Sequence, residues 1–225
     1  MRVNISLHTL SPYKFKEITG VDGLYNVIEG IKEAVNYGLN KVKLNTVVLG
    51  GVNEDELWAI IRFAENLGIH VQLIELHPIG RGKEVFSDYF VSLDNFLSEL
   101  SKASSRIIVR GELHNRPIYV LPTGTTVEVV RPVLNPIFCA GCSRIRIAPD
   151  GALMPCLSLN IRVPVKDVIQ STLSRDEKIS KLVDLIMKVN DLRRPSNMWP
   201  INKAVDIEYL RLLNLGNFNR GFRIT

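Results

Sequence analysis

The chain has 225 residues, 46% of them hydrophobic and 23% charged, which is enough apolar material for one large domain or two small ones and too much for intrinsic disorder. Lys43, Asn45, Arg62 and Gln72 interrupt the most apolar stretches before any reaches bilayer-spanning length, and the opening Met-Arg-Val-Asn-Ile-Ser-Leu-His lacks the apolar block of a secretory signal. A soluble, cytoplasmic protein with no membrane partner is expected. The excess of 28 Lys+Arg over 23 Asp+Glu, formally +5, favours an anionic partner, while bases interspersed with acids and no Arg-aromatic repeat argue against nucleic acid.

Residues 3–7 (Val-Asn-Ile-Ser-Leu) alternate apolar with polar and predict a strand. Asp22 opens a helical run with apolar positions at Leu24, Val27, Ile28, Ile31, Ala34 and Val35, closed by Gly38. A second strand sets Val42, Leu44, Thr46 and Val48 on one face and Lys43, Asn45 and Val47 on the other. Asn53 with Glu56 then reads as the cap of a helix carrying Leu57, Ile60, Ile61, Ala64 and Leu67. A third strand, residues 69–76, leads to a helix opened by Ser92 with Leu93, Phe96, Leu97 and Leu100. This βαβαβα order implies parallel strands. Asn4 and Ser6 on the first strand and Lys43 and Asn45 on the second give a polar face, either the lumen of a partial barrel or the solvent side of a half-covered sheet. Because the first strand starts at residue 2, a preceding segment is expected.

Near residue 104 the pattern changes. Residues 101–105 read as a polar linker, so a division into 1–104 and 105–225 is expected, with short strands at 106–109, 117–121 and 125–131. A helix capped by Ser174 and Glu177 follows, with Ile179, Leu182, Val183, Ile186 and Val189 as its apolar face. The remainder, with Pro195 and Pro200, is loop-rich.

All three cysteines lie in the pattern Cys139-Ala-Gly-Cys142, then Cys156. An odd count argues against a disulfide framework. Residues 144–148 are strand-like, Pro149-Asp150-Gly151 is a turn and residues 153–156 run back, so a hairpin should bring Cys156 to the first two thiols. Three thiolates suit zinc with a histidine as fourth ligand, or a [4Fe–4S] cluster with one iron left open; unliganded cysteines are the third reading. None of His8, His70, His77 and His114 adjoins the motif in sequence, which favours iron–sulfur. Arg144 and Arg146 share a strand face beside the cysteines, where paired guanidiniums suit a phosphate-bearing ligand or simply stand in solvent.

The run Phe138-Cys139-Ala-Gly-Cys142-Ser-Arg144-Ile-Arg146-Ile-Ala-Pro-Asp-Gly-Ala-Leu-Met-Pro-Cys156 resembles the C-terminal cluster motif of the GTP 3′,8-cyclase family, radical S-adenosylmethionine lyases that start molybdenum cofactor synthesis. Residues 3–7, 18–24, 42–48 and 51–56 are similar to the same family in the same order. The resemblance implies the C-terminal part of a partial (β/α)6 TIM-type barrel over 1–104, then an α+β region over 105–225 that binds GTP and an iron–sulfur cluster. It implies Cys139, Cys142 and Cys156 as [4Fe–4S] ligands, and Lys43, Arg144, Ile145 and Arg146 as GTP contacts. Ser6, and by position His77, would contact S-adenosylmethionine. The implied partners are GTP, an electron donor and a second copy of the chain. Where the family has a basic GTP contact and a methionine, this chain has Gln72 and His77, and its last residues are Arg223-Ile224-Thr225 instead of a glycine pair. The family's CxxxCxxC triad is not among these residues, so the radical cluster is expected from another segment or chain, and this chain alone should be inactive. A non-catalytic GTP- or cluster-binding subunit, or a zinc-stabilised module, are the alternatives.

Overall fold

The computed structural model describes residues 1–39, 41–111, 113–133 and 135–193. The expectations for Pro195, Pro200 and the last three residues lie outside them. The first part runs β1 (Arg2–Ser6), α1 (Pro12–Thr19), α2 (Leu24–Asn36), β2 (Lys41–Val48), α3 (Leu57–Asn66), β3 (His70–Glu75), α4 (Gly82–Tyr89) and α5 (Asp94–Ala103). It continues through β4 (Arg106–Arg110), β5 (Arg116–Val120), β6 (Thr126–Val130), α6 (Pro136–Ala140), β7 (Arg146–Ile147), β8 (Leu153–Met154), α7 (Lys166–Gln170) and α8 (Arg175–Asp191). No helix among the described residues is long and apolar enough to cross a membrane.

The strands form one six-stranded sheet in the order β1-β2-β3-β6-β5-β4 and a separate two-stranded β7-β8 ribbon. β1, β2, β3 and β6 are parallel, and β5 and β4 close the edge antiparallel. This mixed α/β arrangement, with its mostly parallel centre, agrees with the expected partial barrel. The sheet runs straight across the 104/105 division, because β6 adds to β3. The polar residues 101–105 therefore join a helix to an edge strand of the same sheet.

Alternation decides which face is buried. Val42, Leu44 and Val48 on β2, Val71 and Leu73 on β3, and Val127 and Val129 on β6 pack under Ile31 of α2 and Ile60, Ile61 and Ala64 of α3. Each such Leu, Ile or Val contributes roughly 1.5–3 kcal/mol on full burial, so a one-residue register slip is strongly disfavoured. The opposite face carries the polar set.

Some helix starts differ from the sequence reading. Asn53 makes no cap. A 3₁₀ turn, residues 54–56, precedes α3, and the fully buried Asn53 side chain donates to the carbonyls of His8 (2.7 Å) and Val47 (2.9 Å) and accepts from Leu49 N–H (2.7 Å). Glu56 instead reaches Thr9 Oγ1 and the Leu10 N–H, both at 2.8 Å. Tertiary partners here outcompete a local capping box. On α8, by contrast, Ser174 and Glu177 form the full box. Its expected apolar face splits: Leu182, Leu185 and Val189 pack against Leu153 and Val165 below the ribbon, while Ile179, Val183 and Ile186 are exposed.

Candidate functional site

The polar face of the sheet is ordered in layers by the strand register. Ser6, Asn45, Gln72, Glu128, Ile118 and Ile108 lie side by side across all six strands. One step earlier come Asn4, Lys43 and His70. Exposure falls along the layer from Ser6, which is open, to Glu128, which is buried. The face is thus a lumen at its centre and a solvent surface at its two edges, Ser6 on β1 and Ile108 on β4.

Glu128 is the focus of this wall. Its carboxylate is 4% exposed and pairs with the Lys43 ammonium, with Arg116 Nη1 at 3.4 Å and with Arg110 Nη1 at 3.6 Å. Lys43 Nζ also donates to Gln72 Oε1 at 3.4 Å. Burial pushes the Glu128 carboxyl up, but the hydrogen bond and charge of Lys43 and the charges of Arg116 and Arg110 outweigh it and hold the group below its ordinary value. Arg116 is itself drawn down by burial and by the charge of Arg144, against the pull of Glu128. Arg144 therefore lies within electrostatic reach of the sheet wall. A cleft of about 210 Å³ beside the cluster is lined by Arg2, Lys41, Lys43, His70, Arg110 and Glu128, among others.

The cysteines sit at the end of α6 and beyond the ribbon. The ribbon is shorter than expected, pairing only Arg146 with Met154 and Ile147 with Leu153, with Ala148 N–H to Ala152 O (2.9 Å) closing the turn. None of the three cysteines is in a disulfide, and all are half-buried. Among the described residues no three His, Cys, Asp or Glu side chains are gathered as a metal ligand set, so the expected convergence of the three thiols is not seen. Such sites rarely preform without their metal. The donor set itself, three sulfurs with Arg144 and Arg146 alongside, fits an anionic iron–sulfur cluster.

Two histidines distant in sequence approach this region, contrary to the reading that none is near. The His114 N–H donates to Gly141 O (2.9 Å), and its ring stacks on Phe138 with centroids 4.2 Å apart. Both of its buried ring nitrogens lack a partner. Burial, then the charges of Arg116 and Arg144, push its pKa down to about 4, so the imidazole is neutral at physiological pH. His77 Nε2 lies 3.3 Å from Ser158 Oγ, and the Ser158 N–H points at Cys156 Sγ (3.4 Å). Burial and then the charge of Arg146 lower the His77 pKa.

The loop is clamped from two sides. His114 and Asn115 both adopt positive φ (63° and 50°), and Asn115 Nδ2 donates to Ile137 O at 3.0 Å. A Cβ at Gly141 would lie 2.7 Å from the Asn115 backbone nitrogen, so position 141 needs glycine. Arg193, just past α8, donates to the carbonyls of Cys142 and, at 2.7 Å, Arg144. Of the sequence candidates, Ser6 and His77 lie at the C-terminal ends of β1 and β3, the edge where α/β sheets place ligands. Lys43 stands deeper on β2, Arg146 is half-buried on the ribbon, and Arg144 and Ile145 are exposed before it. Arg110, Arg116, Glu128, His114 and Arg193 carried no local motif.

The class of protein the geometry defines is a partial α/β barrel with a charged inner wall, followed by a short ribbon flanked by the three cysteines. The chain belongs to the Molybdenum Cofactor Synthesis C family, whose model matches residues 69–199, and residues 1–64 match the Radical SAM superfamily. It is 39% identical over 225 residues to a probable GTP 3′,8-cyclase of Aeropyrum pernix, covering 100% of this chain and 61% of that protein. A protein of the same name from Metallosphaera sedula is 44% identical over 189 residues (82% and 57%), and one from Saccharolobus islandicus is 42% identical over 205 (89% and 65%). The chain thus spans 57–65% of the length of these curated relatives.

Proposed function

We propose that this chain carries the GTP-holding, second-cluster part of a GTP 3′,8-cyclase acting in molybdenum cofactor biosynthesis. The observation that carries the reading is the placement of Arg144 and Arg146 next to the C-x2-C loop, with Arg144 within electrostatic reach of Arg116 on the basic wall. One ligand with a phosphate chain and a soft-metal-binding base can span the two. Cys139, Cys142 and Cys156 would hold a [4Fe–4S] cluster, which when bound supplies an open iron for a ring nitrogen or oxygen of the base. Arg146 and Arg144 offer paired donors to phosphate oxygens, and Lys43 offers a point charge from the sheet. Ser6 and His77, on the strand-end edge, are placed to contact S-adenosylmethionine. Reductive cleavage of that cofactor needs a CxxxCxxC triad, which these 225 residues do not contain, together with an electron donor. A cytoplasmic homodimer completes the reading.

The test is titration of GTP and ATP into the anaerobically reconstituted chain and its Arg144→Ala, Arg146→Ala and Arg175→Ala variants. GTP should bind better than ATP. Each ribbon arginine removed should weaken GTP by about ten- to a hundredfold. Equal loss from Arg175→Ala, at the start of α8, would reduce the site to the general attraction of a basic protein.

A further inference from the structure

Beside the C-x2-C loop lies a buried imidazole to which no described residue offers a hydrogen bond. His114 is 6% exposed, and neither Nδ1 nor Nε2 has a partner among the described residues. The Phe138 carbonyl lies near the ring but outside hydrogen-bond geometry, so the ring N–H is not committed there. Burying an imidazole without a partner is costly, and His114 and Asn115 add a second cost by both taking positive φ. The surroundings nevertheless hold the ring in one place. The His114 backbone N–H bonds Gly141 O (2.9 Å), Asn115 Nδ2 bonds Ile137 O (3.0 Å), and the ring lies on that of Phe138 with 14° between their planes. Phe138 precedes Cys139 and Gly141 precedes Cys142, so the two unsatisfied nitrogens are pinned beside the loop that carries both thiols.

We propose that the His114 ring N–H is a hydrogen-bond donor to the sulfur of the iron–sulfur cluster held by Cys139, Cys142 and Cys156, and that this bond raises the cluster's reduction potential. The proposal rests on the cluster reading of the thiols and adds a residue that the cysteine motif does not contain. In either neutral tautomer an imidazole carries one N–H and one lone pair, so the ring always has a proton to place. Anionic sulfur supplies the acceptor that the described residues do not. Donation to sulfur is already the mode at Cys156, whose Sγ receives the Ser158 N–H at 3.4 Å. The stack on Phe138 covers one face of the ring and leaves the edge with its nitrogens clear of the phenyl. A donor to sulfur stabilises the reduced, more negative cluster more than the oxidised one, which is why its loss lowers the potential.

The test reconstitutes the full chain anaerobically as parent, His114→Phe and His114→Gln, counts iron and sulfide, and reads the midpoint potential by EPR-monitored titration without nucleotide. His114→Phe keeps an aromatic stack and removes the N–H. Its reduction equilibrium should fall about tenfold, a potential about 59 mV lower for one electron. His114→Gln restores an amide donor and should recover most of that loss. Equal downward shifts in both variants, or none in His114→Phe, overturn the donor role and leave the cluster reading intact, whereas zinc in place of a cluster in the parent overturns both. Because the potentials are read without nucleotide, a failed GTP titration leaves them standing. Should His114→Phe take up less than a full cluster, a His77→Gln chain carrying ring-15N histidine decides the point: its reduced cluster should show weak nitrogen coupling in pulsed EPR. No coupling there overturns the proposal, and so does the strong coupling of a directly bound imidazole, since His114 would then be an iron ligand.

Discussion

The sheet wall and the cysteine ribbon solve the same problem, holding charged groups for a ligand, in opposite ways. On the wall, Lys43 and Glu128 are placed by the register of long parallel strands, and almost every donor already has an acceptor. On the ribbon, the strands are two residues long, and position comes from single side-chain clamps, Arg193 and Asn115, over a core of Leu153, Val165 and Val189. A wall built from ladders exists before its ligand. A ribbon built from clamps is completed by one, because three thiols without a metal gain nothing by meeting.

The largest effect that would break this contrast is at the cysteines. Replacing Cys139, Cys142 or Cys156 with Ala should abolish stoichiometric iron and sulfide binding on anaerobic reconstitution. The unfolding free energy of the metal-free chain should move by no more than about 0.5 kcal/mol, since no partner in the sheet is lost. Retention of a full cluster by any one variant would show that the thiol is not a ligand. Stoichiometric zinc without sulfide would replace the cluster by a zinc site.

The wall should respond the other way, in stability and without any metal. Glu128→Gln at pH 7 leaves Lys43 and Arg116 without their anion and should destabilise the chain by about 3 kcal/mol in chemical denaturation. The native pKa of Glu128 lies below its unfolded value of 4.5, so its stabilisation is full above that pH and fades as the pH falls through the lower native value. The gap between parent and variant should therefore close on acidification below pH 4.5 and stay constant above it. A gap that widened in acid would mean that the carboxyl is held protonated in the fold.

The same contrast explains what could be read from the sequence. Period-two alternation announced β1, β2 and β3 and placed Lys43 and Asn45 on the polar face, because register alone fixes those positions. The cysteine spacing announced the ribbon. Glu128, Arg116 and Arg110 were not legible, since their meeting depends on β6 inserting beside β3 after an intervening hairpin, a nonlocal pairing with no trace in local pattern. His114 is far from the cysteines in sequence, yet a turn of two positive-φ residues folds it onto Phe138. At Asn53 the sequence shows a capping pattern and not the carbonyls of His8 and Val47 that claim its amide.

The smallest expected effect sharpens the comparison by separating the stability of the two regions. Ser174→Ala removes the hydroxyl that accepts from Glu177 N–H and donates to Glu177 Oε2 (2.7 Å), leaving only the backbone bond from residue 174 N–H to Glu177 Oε2 (2.9 Å). Loss of such a box should cost α8 about 1 kcal/mol. That helix delivers Val189 to the ribbon core and ends where Arg193 grips the Cys142 and Arg144 carbonyls, so fraying it loosens the clamp. Amide exchange should therefore speed up about fivefold along α8 and at Leu153, whose N–H bonds to Val163 O (2.8 Å), while amides of β2 and β3 keep their rates. Uniform acceleration across both regions would show that ribbon and sheet unfold as one unit, and the division between a preformed wall and a ligand-completed ribbon would then fail at its root.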